Sequence, residues 1–240
     1  MGKKMATSNI EDNLPDYILR RTNRRRSVAL VLLADGSLEV RAPKKVSAQF
    51  IEAFIAERMA WIERKKAEQT DRPKARKRTW QDGDIFHYFG NPLTLQVKAG
   101  NTVNVEMGDS SLTLYQKDPE NAKRVRHNLM QWYKQEAEKA FRPRLARLAA
   151  GMEEAVPKLV ISTAKQRWGS CQGKKRVVRL AMRLLMTPKD VQDYVMIHEL
   201  AHLMHMDHSR KFWARVENFC PHWQTMEQKL KHNAGLWLFD

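Results

Sequence analysis

The segment HELAHLMHMDH at residues 198 to 208 constrains the fold more than any other stretch of the chain. Two histidines four residues apart, His198 and His202, face the same way on a helix, within roughly 40° of each other and about 6 Å apart along the axis. Val191, Tyr194, Val195, Ile197, Leu200, Ala201 and Leu203 recur around them at helical spacing, so the helix is read as a buried element. Thr187 is its expected N-cap and Pro188 its first helical residue. A fold built around this helix must bury two imidazoles, which then need hydrogen-bond partners or a shared cation.

A catalytic zinc site takes three protein ligands and keeps one position for water. His198 and His202 supply two, and His208 is the natural third. It lies six residues beyond His202, past a helix end expected near Met204 to Met206, with Ser209 placed to N-cap a following helix around Phe212 and Trp213. Glu217, Glu227, His205 and His222 are the competitors for that role. His205 would need the chain to stay helical, and His208 would then swing away. Glu199, rotated roughly 100° from His198, suits a carboxylate that touches metal-held water and acts as general base. Zinc is favoured over nickel, cobalt or manganese by ligand type and abundance.

With 240 residues and 42% hydrophobic content, the chain can build a core without staples. No run of about eighteen apolar residues would span a membrane, and Met1 to Ile10 lack a secretory apolar region, so a cytoplasmic location is expected. Cys171 and Cys220 form no CxxC pair, in keeping with a reducing compartment. The formal charge of +16 gathers in two blocks, Arg20, Arg21 and Arg24 to Arg26, then Arg64 through Arg78. Such blocks attract anions, whether nucleotide, nucleic acid or acidic lipid, without naming one.

Residues 27 to 41 alternate β-formers around Asp35-Gly36, the pair that favours a type I′ hairpin turn. From Ser47, an N-cap candidate, apolar residues at helical spacing predict one helix to about Lys65, followed by an exposed basic linker. Turn pairs between Trp80 and Tyr115 predict three or four antiparallel strands. A long helix then runs to near Gly151, with Pro143 expected to kink or interrupt it. Residues 158 to 162 and 175 to 181 read as strands flanking the loop AKQRWGSCQG.

Taken together, RWGSC at 167 to 171, VVRLAMRLLMTP at 177 to 188 and HELAHLMHMDHSRKFW at 198 to 213 resemble the YgjP-like metallopeptidase family. The likeness extends to the leading segment RRRSVALVLLADGSLEVRAPKKVS and covers roughly residues 17 to 235. It implies a minimal zincin core with His198, His202 and His208 as metal ligands. It also implies that the stretch from Gln166 to Cys171 lies on a rim strand beside the cleft, where a peptide could add as a strand, with Arg167 and Trp168 facing substrate. Cys171 is read as a small buried side chain, because nothing near it in sequence would activate a thiolate.

The expected protein is α+β: an N-terminal β-hairpin/helix module with its basic linker over 1 to 78, and a zincin-like core with a small antiparallel sheet over 79 to 240. The expected activity is zinc-dependent hydrolysis of a peptide or protein. Two other readings stand beside it. The arginine-rich stretches suit a metal-dependent nucleoside triphosphate phosphohydrolase, and equally a nucleic-acid-binding protein with a structural metal site, although the latter would not need Glu199.

Overall fold

The computed structural model describes residues 14 to 239 except 24, 34, 72 and 74 to 76. Residues Met1 to Ile10 and, in the two basic blocks, Arg24, Arg72, Lys74 and Arg76 lie outside the described residues. The chain divides into two compact units, 1 to 72 and 73 to 240. Within the second unit, Arg78 donates from Nε to the Leu238 carbonyl at 2.9 Å and stacks on Phe86, which ties the end of the basic linker to that unit.

In the first unit, β1 (Tyr17–Thr22), β2 (Ala29–Leu32) and β3 (Leu38–Pro43) form a sheet in the order β1-β3-β2. β2 and β3 make the expected hairpin, but Gly36 takes a φ of 88° while Asp35 is not in the left-handed region. A type I′ turn needs both central residues there, so the turn at Asp35-Gly36 is of another kind. The Leu33 carbonyl accepts from the Gly36 N–H at 3.0 Å, and the Leu33 N–H donates to the Ser37 carbonyl at 2.9 Å. The sequence reading has no β1, whose four central residues are exposed and show no alternation. The single expected helix is two: α1 (Ala48–Ala56), capped by Ser47 as predicted, and α2 (Met59–Thr70), which consumes the start of the supposed linker. Leu38, Val40 and Ala42 on alternate positions of β3 meet Ile51, Ile55 and Ile62 of the helices.

The second unit opens with β4 (Ile85–Tyr88), β5 (Asn91–Ala99), β6 (Asn104–Met107) and β7 (Ser111–Gln116), ordered β4-β5-β7-β6. The expected purely antiparallel sheet is mixed, because β6 folds back on the far side of β7 and leaves β7 parallel to β5. At the β4–β5 turn Phe89 and Gly90 have φ of 50° and 88°, the two left-handed positions a two-residue hairpin loop requires. A Cβ on Gly90 would sit 2.9 Å from the Pro188 ring, and Phe89 and Gly90 donate to the carbonyls of Leu185 and Met186. This turn therefore docks on the segment that leads into the histidine helix.

α3 (Ala122–Gly151) buries Val125, Leu129, Tyr133, Ala137, Phe141, Leu145 and Ala149, each four residues after the last. Four residues advance a helix by about 400°, so the stripe winds by roughly 40° a step. The same helix can thus face β7 as well as β8 (Lys158–Ser162), packing on both. Pro143 does not interrupt it. Its ring is on the exposed side, and burial of Phe141 and Leu145 in the flanking turns holds the helix across the missing hydrogen bond.

A second sheet orders β8, β10 (Val177–Ala181) and β9 (Gly169–Gln172) as β8-β10-β9. β9 occupies part of what the residue pattern alone reads as a loop, pairing antiparallel to β10. A 3-10 turn over Met182–Met186 leads to α4 (Lys189–Ala201), then α5 (Arg210–Phe219), α6 (Trp223–Asn233) and a last 3-10 turn over Ala234–Trp237. α4 begins one residue later than expected. Thr187 does not cap it; its hydroxyl donates to the Leu184 carbonyl at 2.9 Å, and Pro188 takes the cap position. The α+β class expected from the sequence holds.

Candidate metal centre and its cleft

α4 is fixed from behind before it presents anything. Arg144 of α3 donates to both carboxylate oxygens of Asp193 and, at 2.8 Å, to the Lys189 carbonyl. Val191, Met196, Leu200 and Ala201 are fully buried against the core.

The helix ends at Ala201, earlier than expected, and the chain turns at once. His202 Nδ1 lies 2.9 Å from the His205 carbonyl. A carbonyl only accepts, so Nδ1 carries the proton and Nε2 keeps its lone pair. This bond folds the loop over the His202 ring and lets His208 return to the helix. Gly173 supports the same loop: a Cβ there would meet Met206 Sδ at 2.8 Å and the His202 carbonyl at 3.4 Å.

The rings of His198, His202 and His208 have centroids 5.0, 5.2 and 4.8 Å apart, taken pairwise. One ring nitrogen from each lies within 4.8 Å of the others, and Nε2 of His198 and His208 are 3.2 Å apart. Phe212 of α5 stacks on His202 at 4.5 Å and meets the other two rings edge-on, so the triad sits in an aromatic wall. Burial, with His202 and His208 adding to it, holds His198 at a pKa of about 4; burial also lowers His202. Neutral imidazoles with converging lone pairs are what a borderline cation needs. The buried His198 Nδ1 has no hydrogen-bond partner among the described residues. The donor set fits a divalent transition metal.

The rival residues are elsewhere or otherwise engaged. Glu217 and His222 are exposed, and His205 contributes its carbonyl rather than its ring. Glu227 does reach the neighbouring cleft, where Lys231 pairs with it at 2.8 Å, but it is outside the histidine cluster. Ser209 stands at the N-cap of α5 without a side-chain capping bond.

Glu199 is 6% exposed, and burial pushes its carboxyl up to about 8. Its carboxylate lies against the backbone of Gly169: a Cβ built there would be 2.6 Å from Oε1 and 2.9 Å from Cδ. Gly169 does not have a positive φ, so the need for glycine is one of room rather than of backbone conformation. The sequence offers no sign of this contact, which joins residues thirty apart. Cys171 is half-buried rather than buried as expected; burial, with Glu199 adding to it, raises its thiol to about 11, which suits the inert role expected for it.

His198 and Glu199 open onto a cleft of about 410 Å³. Gln166, Arg167, Trp168 and Gly169 form one wall, Tyr194 and Val195 of α4 another, and Glu227, Leu230 and Lys231 of α6 with Ala234 the third. The expected pair Arg167 and Trp168 is there. Tyr194, read from the sequence only as part of the apolar face of its helix, also lines the cleft, and Leu230, Lys231 and Ala234 carry no sequence signal beyond the helical spacing of α6 at the first two.

No helix among the described residues is long and apolar enough to cross a membrane. Among solved structures the chain is similar to the metallopeptidase zymogen of Pyrococcus abyssi abylysin, at 26% identity over 37% of this chain and 93% of that one, with a TM-score of 0.34. It is also similar to the metallopeptidase zymogen of Methanocaldococcus jannaschii jannalysin, at 21% identity over 36% and 88%, with a TM-score of 0.32. No curated protein matches the chain. The sequence profile of the YgjP-like metallopeptidase domain matches residues 26 to 233, nearly the whole chain, and the protein therefore belongs to the YgjP-like metallopeptidase family.

Proposed function

We propose that the protein is a zinc-dependent peptidase in which His198, His202 and His208 hold the ion and Glu199 moves the proton. The observation that carries this reading is the convergence of three imidazole nitrogens within 4.8 Å beside a buried carboxyl that opens on the same cleft. A bound ion of this type supplies Lewis acidity, polarising the scissile carbonyl and acidifying a water. The chain's own groups do the rest. Ionised Glu199 accepts the proton of the attacking water at a carboxylate oxygen and hands it to the leaving amine nitrogen. A cation beside it favours the ionised form against the burial that raises its pKa. The missing side chain of Gly169 leaves the carboxylate its room, and the buried walls of the cleft limit the water that competes with substrate.

Among the described residues β9 is an edge strand, bonded to β10 on one side only, and its first residue lines the cleft, which supports binding of substrate as an added strand. The cleft offers little to a nucleoside triphosphate: its cations are Arg167 and Lys231, and Lys231 is paired. Some of the basic charge elsewhere is answered locally, as Arg20 is by Glu39 and Lys65 by Glu68. Neither the nucleotide nor the nucleic-acid reading gains support.

The test combines metal analysis of the purified protein with peptide cleavage by the zinc-loaded form and by Glu199→Gln. Stoichiometric metal, lost in His202→Ala, with turnover that depends on Glu199, is the expected result. Protein that binds no transition metal, or turnover indifferent to Glu199, refutes the reading.

A further inference from the structure

We infer that Trp168, held by Arg183, selects the substrate, by forming the wall of a subsite that takes one bulky apolar side chain next to the scissile bond. The inference rests on the peptidase reading above and adds the substrate class to it.

The cleft beside His198 and Glu199 is not uniformly polar. Its deep lining is Trp168, Tyr194, Val195, Leu230 and Ala234, and of these Tyr194, Val195 and Leu230 are at most 5% exposed. Beyond His198 and Glu199 its polar groups are few: the Tyr194 hydroxyl is one, Gln166 and Arg167 are exposed, and Glu227 and Lys231 answer each other. Water in such a recess has few partners, so an apolar side chain that displaces it gains affinity. A space of about 410 Å³ is ample for a phenylalanine or leucine side chain.

Trp168 is the wall that could move, since it precedes β9 in a stretch of exposed residues. Its backbone carbonyl accepts from the Ala181 N–H at 2.8 Å, and two side chains hold its ring. The Arg183 guanidinium lies 3.4 Å over its ring, and Trp237 meets it edge-on at 6.1 Å. Arg183 is itself 5% exposed and donates from Nε to the Ala164 carbonyl at 3.3 Å, in the same segment that carries Trp168. A buried guanidinium spent on an aromatic face and a backbone carbonyl of one loop is a device for fixing that loop. Arg183 is thus a positioning residue, and Trp168 the group that touches substrate.

The experiment uses zinc-loaded full-length protein and paired peptides that differ only in carrying Phe or Ala beside the cleaved bond. Binding of the same peptides to the zinc-loaded Glu199→Gln protein is measured in parallel by fluorescence anisotropy. The Phe-over-Ala ratio of kcat/KM should exceed about tenfold. Trp168→Ala should lower that ratio by about tenfold, through KM more than kcat, and Arg183→Met should lower it in the same direction. Ala234→Phe, which fills the recess instead of emptying it, should reverse the preference. Metal stoichiometry and melting temperature, read on each variant, separate these effects from misfolding. Cleavage with no Phe preference, or a preference that neither Trp168→Ala nor Ala234→Phe alters, overturns the assignment while leaving the peptidase reading intact. Phe-selective, Trp168-dependent binding without cleavage supports the subsite and sinks the peptidase reading. Absence of both cleavage and binding overturns the two together.

Discussion

Removing the charge of Glu199 while keeping its shape should make the metal-free protein more stable, and increasingly so as pH rises. In the metal-free fold burial raises this carboxyl from an ordinary 4.5 to about 8. Below pH 4.5 the group is protonated in both folded and unfolded chains and contributes no pH dependence. Between 4.5 and 8 the unfolded chain ionises while the folded one keeps its proton, so each pH unit costs about 1.4 kcal/mol of stability. Across that window the loss is roughly 5 kcal/mol if the cleft stays dry, and less in proportion to the water it admits. Glu199→Gln cannot ionise and escapes the loss. Urea unfolding of both proteins in chelator, at half-unit steps from pH 4.5 to 8.5, reads the difference directly. His198 has the opposite trend, because its depressed pKa withdraws stability as pH falls from 6.5 towards 4, but it is common to both proteins and cancels in the comparison. A wild-type-minus-variant difference that stays flat over the window would refute the claim that burial governs this carboxyl. Adding zinc to the wild type should shrink the difference, since the cation stabilises the ionised form.

Gly169→Ala should bring the new methyl within 3 Å of the Glu199 carboxylate, displacing it; turnover should fall by about a hundredfold with metal content unchanged. Equal activity of the two forms would disprove the contact. His202→Ala removes the nitrogen whose tautomer the His205 carbonyl fixes, and dialysed protein should then retain no stoichiometric zinc by elemental analysis. Glu154 accepts from Arg176 and Arg215, both at 3.1 Å; Glu154→Ala should cost about 2 kcal/mol in urea unfolding, while Arg215 keeps its bond to the Met152 carbonyl. Leu129→Ala on the winding stripe of α3 should cost about 3 kcal/mol, and a value below 1 would mean that α3 is not packed as described.

The histidine helix was legible because its evidence is local: spacing sets which side chains share a face, and the return of His208 follows from a helix too short to carry it away. What eluded the sequence depends on contacts between distant segments. β1 is an exposed edge with no alternation to betray it, and β9 is four small or polar residues whose partner lies across a turn. Pro143 argues for a break that neighbouring burial overrules. Gly169 needs to be small because of a carboxylate thirty residues later, and no local pattern carries that information. Leu230 and Ala234 reach the cleft only because α6 packs on α4.

The contact between Gly169 and Glu199 works as a ruler. Gly169 is at once the first residue of an open sheet edge and the spot where the Glu199 carboxylate touches backbone. A peptide laid along β9 would advance in steps of about 3.4 Å, its residues facing alternately towards and away from the cleft. The strand that grips the peptide and the group that cuts it would share one origin, so a one-residue slip would put a different bond at the carboxylate and turn the side chain meant for the Trp168 recess to the opposite face.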